Sequence, residues 1–364
     1  MTVEFPGPED PSPPYGRTAH PYFLYDMIRS QPEAIEATLR AATVIGRAIP
    51  KPAAGRPVLF VGMGTSAHAA LASAWACESA GDGSGSWRAV DAFELLLEPE
   101  MMRRSGAAVV FSSSGETALT LEAQRALHEA RIPQVLVSGT TASRSSALAD
   151  HLLKTQNAEE RAWVHTVSYT TAIAAAESLG GGWSGREFPG LNGVARLVQA
   201  VVDQEAEWRT VAEEIRDRKK ILVLGSGAAQ ATAREAALKL REGAGRFVAA
   251  AGVEEFLHGI LPSIDTETAV LAVAVTELDR RRAETALAAA ARAGAKTALF
   301  ARGSSSKEGV VHALPPTEPC VAPIVDIVPF QFLTYWLAVG EGRNPDVMGY
   351  DDPRILAARR MYGI

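Results

Sequence analysis

A short apolar run that ends in a glycine or hydroxyl turn and opens directly into an alanine-rich helix recurs along this chain, in both halves. In the first half Val58-Leu59-Phe60-Val61 precedes Gly62-Met63-Gly64-Thr65-Ser66 and a helical pattern from Ala67 to Ser79. Ala107 to Phe111 then precedes Ser112-Ser113-Ser114-Gly115-Glu116-Thr117 and the helical Ala118 to Ala130, and Val135-Leu136-Val137 adds a strand. In the second half Lys220 to Leu224 precedes Gly225-Ser226-Gly227 and the helical Ala228 to Glu242; Ala269 to Val275, Lys296 to Phe300 and Val325 to Val328 read as further strands. Apolar strands alternating with helices require a parallel sheet covered on both faces. The predicted fold is α/β: two tandem, doubly wound parallel-sheet units packed as a pseudo-twofold pair.

The expected boundaries are an N-terminal arm and helix over 1–48, a first unit over 49–190, a linking helix over 191–216, a second unit over 217–342 and a tail over 343–364. The arm carries Pro6, Pro8, Pro11, Pro13 and Pro14, resists helix, and reads as a tail or as an arm on a neighbouring subunit. From Tyr22 to Ile49 the apolar spacing predicts a long helix.

Composition removes several function classes. The 364 residues are 47% hydrophobic, enough for cores of this size, so disorder is excluded as the main state. With 36 basic against 42 acidic residues and a net charge of −6, there is no electrostatic basis for a nucleic-acid or anionic-membrane surface. Cys77 and Cys320 are too few for a disulfide scaffold and lack zinc-ligand spacing; both read as buried thiols. Met1 to Tyr15 is acidic and proline-rich, unlike a secretory leader, and no uninterrupted apolar run approaches the roughly 20 residues that span a bilayer. A soluble, cytoplasmic chain is expected.

Gly62-x-Gly64-x-x-Ala67 and Gly225-x-Gly227 sit where backbone N–H groups and a helix dipole favour an anion. A dinucleotide fingerprint would use Asp91 or Glu94 to hold a ribose, and glycine also serves simply to turn from strand to helix. Neither reading employs the hydroxyls of Thr65, Ser66, Ser112, Ser114 and Thr117, which would converge at one sheet edge on a compact phosphomonoester without an arginine clamp. No cofactor or metal is called for.

Glu235, Lys239, Glu242 and Arg246 recur at helical spacing on one face, which for an ordinary helix is a solvated charged stripe. Here Glu254-Glu255-Phe256-Leu257-His258-Gly259 follows closely and sets a carboxylate and an imidazole among apolar residues, the pair that proton transfer near neutral pH requires.

Together these residues resemble the sugar isomerase (SIS) superfamily, in particular the double-SIS isomerase portion of glucosamine-6-phosphate synthases and its stand-alone relatives. The resemblance runs from about His20 to Arg354 through Gln31 to Ile35, Gly64-Thr65-Ser66, Ser112 to Thr117 (near SQSGET), Thr166 and Thr170, Glu235 to Glu242 (near EGALKLKE) and Glu255 to Gly259. It implies an open-chain sugar phosphate held by Thr65, Ser66, Ser112, Ser113, Ser114 and Thr117. His165, Thr166 and Glu235 would add substrate contacts. Glu242 would be the C1–C2 base, Lys239 would support it, and His258 would open the ring from the partner subunit of a homodimer. The chain departs from the pattern in three places. Ser113 replaces the SQSGET glutamine, Trp163-Val164-His165-Thr166-Val167 replaces a wall of small residues, and Ala358 stands where the PRNLAK tail has lysine. The chain begins Met1-Thr2-Val3 with no N-terminal cysteine nucleophile, so glutamine-dependent synthesis is not expected. The expected activity is phosphosugar isomerisation on a hexose phosphate or amino-sugar phosphate. The alternatives are a sugar-phosphate–amine deglycase or deaminase and a non-catalytic phosphosugar-binding regulator.

Overall fold

The computed structural model describes residues 17–80, 86–156, 160–303 and 311–361. Most of the proline-rich arm, up to residue 16, lies outside the described residues. The first half runs α1 (Phe23–Gly46), β1 (Val58–Gly62), α2 (Thr65–Ala80), β2 (Trp87–Asp91), α3 (Ala92–Leu97), α4 (Pro99–Arg104), β3 (Ala107–Phe111), α5 (Ala118–Glu129), β4 (Gln134–Ser138), β5 (His151–Lys154) and α6 (Val167–Ser184). After α7 (Val194–Val202) and α8 (Glu205–Ile215) come β6 (Lys220–Gly225), α9 (Ala229–Ala244), β7 (Phe247–Ala251), α10 (Val253–Glu255), β8 (Thr268–Ala274), α11 (Glu277–Arg292), β9 (Lys296–Arg302) and β10 (Val311–Leu314). The chain closes with α12 (Ala322–Asp326), α13 (Val328–Gly340) and α14 (Pro353–Arg359).

All strand pairs are parallel, in two five-stranded sheets. The order β2-β1-β3-β4-β5 matches β7-β6-β8-β9-β10 strand for strand, so the repeat read in the sequence is a repeat of topology. In each sheet the direction of winding reverses beside the first strand, between β1 and β3 and between β6 and β8, which opens a crevice at the carboxyl ends of those strands.

The runs recognised in the sequence are those buried on both faces; β1, β3, β4 and β8 are buried at every position. The strands that no run announced, β2, β5, β7 and β10, are the four sheet edges, where part of each strand meets solvent and the apolar run is broken. One expected strand is corrected: Val325 to Val328 belongs to α12 and α13, with Pro323 and Pro329 in their first turns. A β-branched run buried on all sides has no periodicity to separate strand from helix. The linking helix also breaks into α7 and α8, with Asp203 and Gln204 between them.

Ala322–Gly340 contains an 18-residue window of mean hydropathy 1.4, long and apolar enough by length and composition to span a bilayer, contrary to expectation. That window is 89% buried within the molecule, as befits a core helix. α1 crosses α6, α7 and α13 despite Pro32 in its interior. Proline has no N–H for the carbonyl four residues back, and Gln31 Nε2 supplies the missing donor to Ile28 at 2.9 Å while also reaching Gln331. The start of α1 is fastened to the tail, since the Asp346 carboxylate accepts from the N–H groups of Phe23 and Leu24.

Candidate active site

The crevice beside β1 and β3 is a cavity of about 870 Å³. Gly64 to Ser66, Ser112 to Ser114 and Glu116 to Ala118 border it, so the N-termini of α2 and α5 both open onto it. Gly62 lets α2 start against the strand end, because a Cβ there would lie 2.5 Å from the Ser66 carbonyl carbon. Gly115 has φ +70°, and a Cβ on it would meet Ser143 Oγ at 2.2 Å. Two hydroxyls shape their own turn: Ser112 Oγ accepts from Gly115 N and Ser114 Oγ from Glu116 N, each at 3.2 Å. The hydroxyls of Ser66, Ser113 and Thr117 make no hydrogen bond among the described residues.

From the second half, α9 lies across α2 and brings its charged face to the first unit. Glu235 and Lys239 are fully buried, so the solvated-stripe reading fails. Lys239 Nζ donates to Glu242 Oε2 at 2.6 Å and to Thr65 Oγ1 at 2.9 Å. Thr65 Oγ1 in turn donates to Glu235 at 3.1 Å, and His68 Nδ1 lies 2.7 Å from the other oxygen of Glu235. Thr65 therefore spends its hydroxyl inside this network. Burial alone would depress the Lys239 ammonium, but Glu242 and Glu235 more than offset it and hold the group protonated. Burial likewise works against the Glu235 carboxylate, and Lys239, His68 and Thr65 pull it below the usual range. Of the charged members of this set, Glu242 reaches the cavity wall.

The reshaped wall is occupied by Trp163 and His165; Val164 is buried behind it. Thr166 turns its N–H and hydroxyl to Glu160, a buried carboxylate that also accepts from the N–H groups of Val167 and Ser168. His165 Nδ1 lies 3.3 Å from Glu160 Oε2 and 3.0 Å from Ser168 Oγ. The tail forms the remaining side with Met348, Tyr350, Arg359 and Met361; Arg359 stacks on the Tyr350 ring and donates to its hydroxyl at 2.9 Å. Trp163 faces Tyr350 with ring centroids 4.9 Å apart.

Other expected residues stand elsewhere. His258 lies on a one-turn π-helix, Phe256–Ile260, is 79% exposed, and is absent from its own chain's cavity wall. Arg246 does not continue the α9 face: Gly245 ends the helix in the left-handed region, and Arg246 turns to the carbonyls of Arg216 and Arg218 and to Glu341. Asp91, the ribose candidate, caps α3 by accepting from Phe93 N. Sequence reasoning missed Glu160, His68, Tyr350 and Arg359. His68 was within reach, three positions from Thr65 on one helix face, whereas Glu160 follows another glutamate in a polar stretch that reads as solvated.

The equivalent crevice of the second unit is built differently. β8 and α11 are joined by two residues, and the Asp279 carboxylate accepts from Val275 N, Thr276 N and Thr276 Oγ1 at 2.6–2.9 Å. Ser226 Oγ is engaged by Val253 N.

The SIS domain family matches this chain twice, over residues 54–179 and 214–340. Glutamine–fructose-6-phosphate aminotransferase (isomerizing) of Thermococcus kodakarensis is 28% identical over 357 residues, covering 94% of this chain and 58% of that protein. The enzyme of the same name from Pyrobaculum aerophilum is 29% identical over 358 residues, covering 93% and 57%. The chain thus spans little more than half the length of the curated relatives it matches. Among solved structures, tagatose-6-phosphate ketose/aldose isomerase from Escherichia coli superimposes with TM-score 0.78 at 21% identity, covering 91% of this chain and 97% of that one. The C-terminal domain of glucosamine-fructose-6-phosphate aminotransferase from Francisella tularensis gives 0.76 at 22%, covering 90% and 98%. Glucosamine-6-phosphate deaminase from Thermotoga maritima gives 0.72 at 20%, covering 89% and 96%. With two matches that take in most of its length, on two sheets of one topology, the chain belongs to the SIS domain family and carries the isomerase-type double-SIS fold.

Proposed function

We propose that the chain is a phosphosugar isomerase that moves a proton between C1 and C2 of an open-chain hexose phosphate or amino-sugar phosphate. The observation that carries this reading is the position of Glu242. It is an ionisable carboxylate in the same cavity wall as two hydroxyl-rich helix N-termini, backed by a buried ammonium. The phosphate would sit on backbone N–H groups and on the hydroxyls of Ser66, Ser113 and Thr117. Glu242 would take the carbon-bound proton next to the carbonyl and return it to the neighbouring carbon. His258, exposed on its own chain, is proposed to complete the cavity of a second copy in a homodimer. The test is carbon-bound proton exchange in deuterated water, followed by NMR with fructose 6-phosphate and glucosamine 6-phosphate. Wild type exchanges, and Glu242→Gln lowers the rate by about 100- to 10,000-fold while binding is retained. Undiminished exchange in Glu242→Gln refutes the role of that residue.

One observation favours a second reading, release of an amine from a sugar-phosphate adduct. The cavity is near the upper end of the roughly 300–1,000 Å³ that holds drug-sized ligands. Trp163, Met348, Tyr350 and Met361 give it an apolar side suited to the organic part of such an adduct. Liberation of free amine from a phosphorylated ketosamine, with no aldose–ketose exchange, would select this reading.

A further inference from the structure

We propose that His165, oriented by Glu160, is a second proton-transfer residue of this cavity and acts as the acid opposite Glu242; the inference rests on the phosphosugar reading above. Among the described cavity-lining residues, the titratable side chains are Glu116, His165, Tyr169, Glu242, Tyr350 and Arg359. Glu116 is tied to Arg144 and held below the usual carboxylate range by hydrogen bonds from that residue. Burial drives the Tyr169 phenol well above its ordinary range, and an arginine does not release its proton. His165 is the one imidazole in this set, the side chain suited to give and regain a proton near neutrality.

Its surroundings are built. Glu160 is 3% exposed and sits at the N-terminus of the 18-residue α6, where three successive N–H groups fix it. With Nδ1 facing Glu160 and Ser168, Nε2 is left without a hydrogen-bond partner among the described residues. A carboxylate behind an imidazole sets the tautomer and stabilises the charged ring, the logic of carboxylate–histidine pairs generally. Burial lowers the affinity of His165 for a proton and Lys239 opposes it too; Glu160 and Glu242 act in the other direction and leave the imidazole raised above its ordinary value. Arg359, the remaining cation of the wall, is stacked on Tyr350.

The step balances with these two groups alone. Glu242 takes the proton from C2, the C–H electron pair forms the C1–C2 double bond, and the carbonyl pair moves onto O1, which receives the proton from His165 Nε2. In the return half the neutral imidazole takes the O2 proton and Glu242 delivers its proton to C1.

The experiment compares wild type, His165→Gln and Glu160→Gln by NMR of labelled imidazoles and by proton exchange in deuterated water with fructose 6-phosphate and glucosamine 6-phosphate. Expected are a wild-type His165 titrating above about 6.5, a lower value in Glu160→Gln, and exchange about 100- to 10,000-fold slower in His165→Gln with phosphosugar affinity kept. The alkaline limb of the wild-type exchange profile should move to lower pH in Glu160→Gln, which a purely structural glutamate would not cause. Exchange that persists undiminished in His165→Gln overturns the proposal and leaves the isomerase reading intact. If wild type exchanges no proton with either sugar, the isomerase reading fails, and the imidazole titration decides the pair: a His165 at or below about 6.5 that does not move in Glu160→Gln overturns it.

Discussion

Lys239 and Glu242, one turn apart on α9, are joined at 2.6 Å with the ammonium 1% exposed, and the same nitrogen reaches across to Thr65 of the first unit. The contact ties the cavity-wall carboxylate of Glu242 and the turn that opens α2 to one buried cation, so the geometry of the site depends on a group that does not itself reach the cavity wall. Removing that cation leaves the buried Glu235 carboxylate without its main countercharge. Lys239→Met is expected to cost roughly 3–5 kcal/mol, and the double variant with Glu235→Gln to recover part of the loss. Denaturant midpoints of wild type and the two variants check this; a single-variant cost near zero contradicts it.

Ser113 and Thr117 hold their hydroxyls on the turn that opens α5, with no competing partner among the described residues. A hydrogen bond to a charged acceptor contributes roughly 1.5–3 kcal/mol, so Ser113→Ala or Thr117→Ala should weaken phosphosugar binding on the order of tenfold or more. Thr65→Val is expected to act on stability as well, because its hydroxyl bridges Lys239 and Glu235. Calorimetric titration with phosphorylated and unphosphorylated sugar separates these effects; equal affinity for both sugars removes the phosphate site.

Glu160 and His165 together set a pH window for stability. Burial pushes Glu160 up, yet His165, Ser168 and the Thr166 N–H bring it to about 2, so its contribution is present above the unfolded value of about 4.3 and is lost as pH falls toward 2. His165 is raised, so its contribution is complete below about 6.5 and disappears as pH rises through its folded value. Wild type should therefore lose stability between about pH 4.3 and 2 more steeply than Glu160→Gln. Parallel acid-melting curves for the two proteins would show that the pair does not form.

Mixing Glu242→Gln with His258→Ala tests the shared cavity. Each variant alone should be nearly inactive, and random re-pairing of dissociated subunits should restore about a quarter of wild-type activity, since one of the two sites in each mixed dimer is then intact. A fully active monomer in sedimentation, or no recovery on mixing, removes the arrangement.

The central strands, the two turns that open α2 and α5 and the α9 face were legible because each is dictated by local pattern: a wholly apolar run, a glycine at positive φ, a spacing of three and four. Edge strands β2, β5, β7 and β10 were not, since half-solvated strands carry no such run. Val325 to Val328 misled because complete burial erases periodicity. The wall of the cavity was the least legible part. Glu160 acquires its meaning from helix α6 behind it, and Tyr350 and Arg359 from a tail that folds back over the first unit, relations that sequence spacing does not encode.

Asp279 is an anion that the chain supplies to itself. Its carboxylate takes the strand-end N–H groups of the second crevice, where β8 and α11 are joined by only two residues. On the reading proposed above, the phosphate belongs to the first crevice, because in the second the chain's own carboxylate already takes the strand-end N–H groups. Titration should therefore saturate at a single phosphosugar per polypeptide, with the second copy acting, on the same reading, as the arm that carries Glu242 to the first unit's cavity.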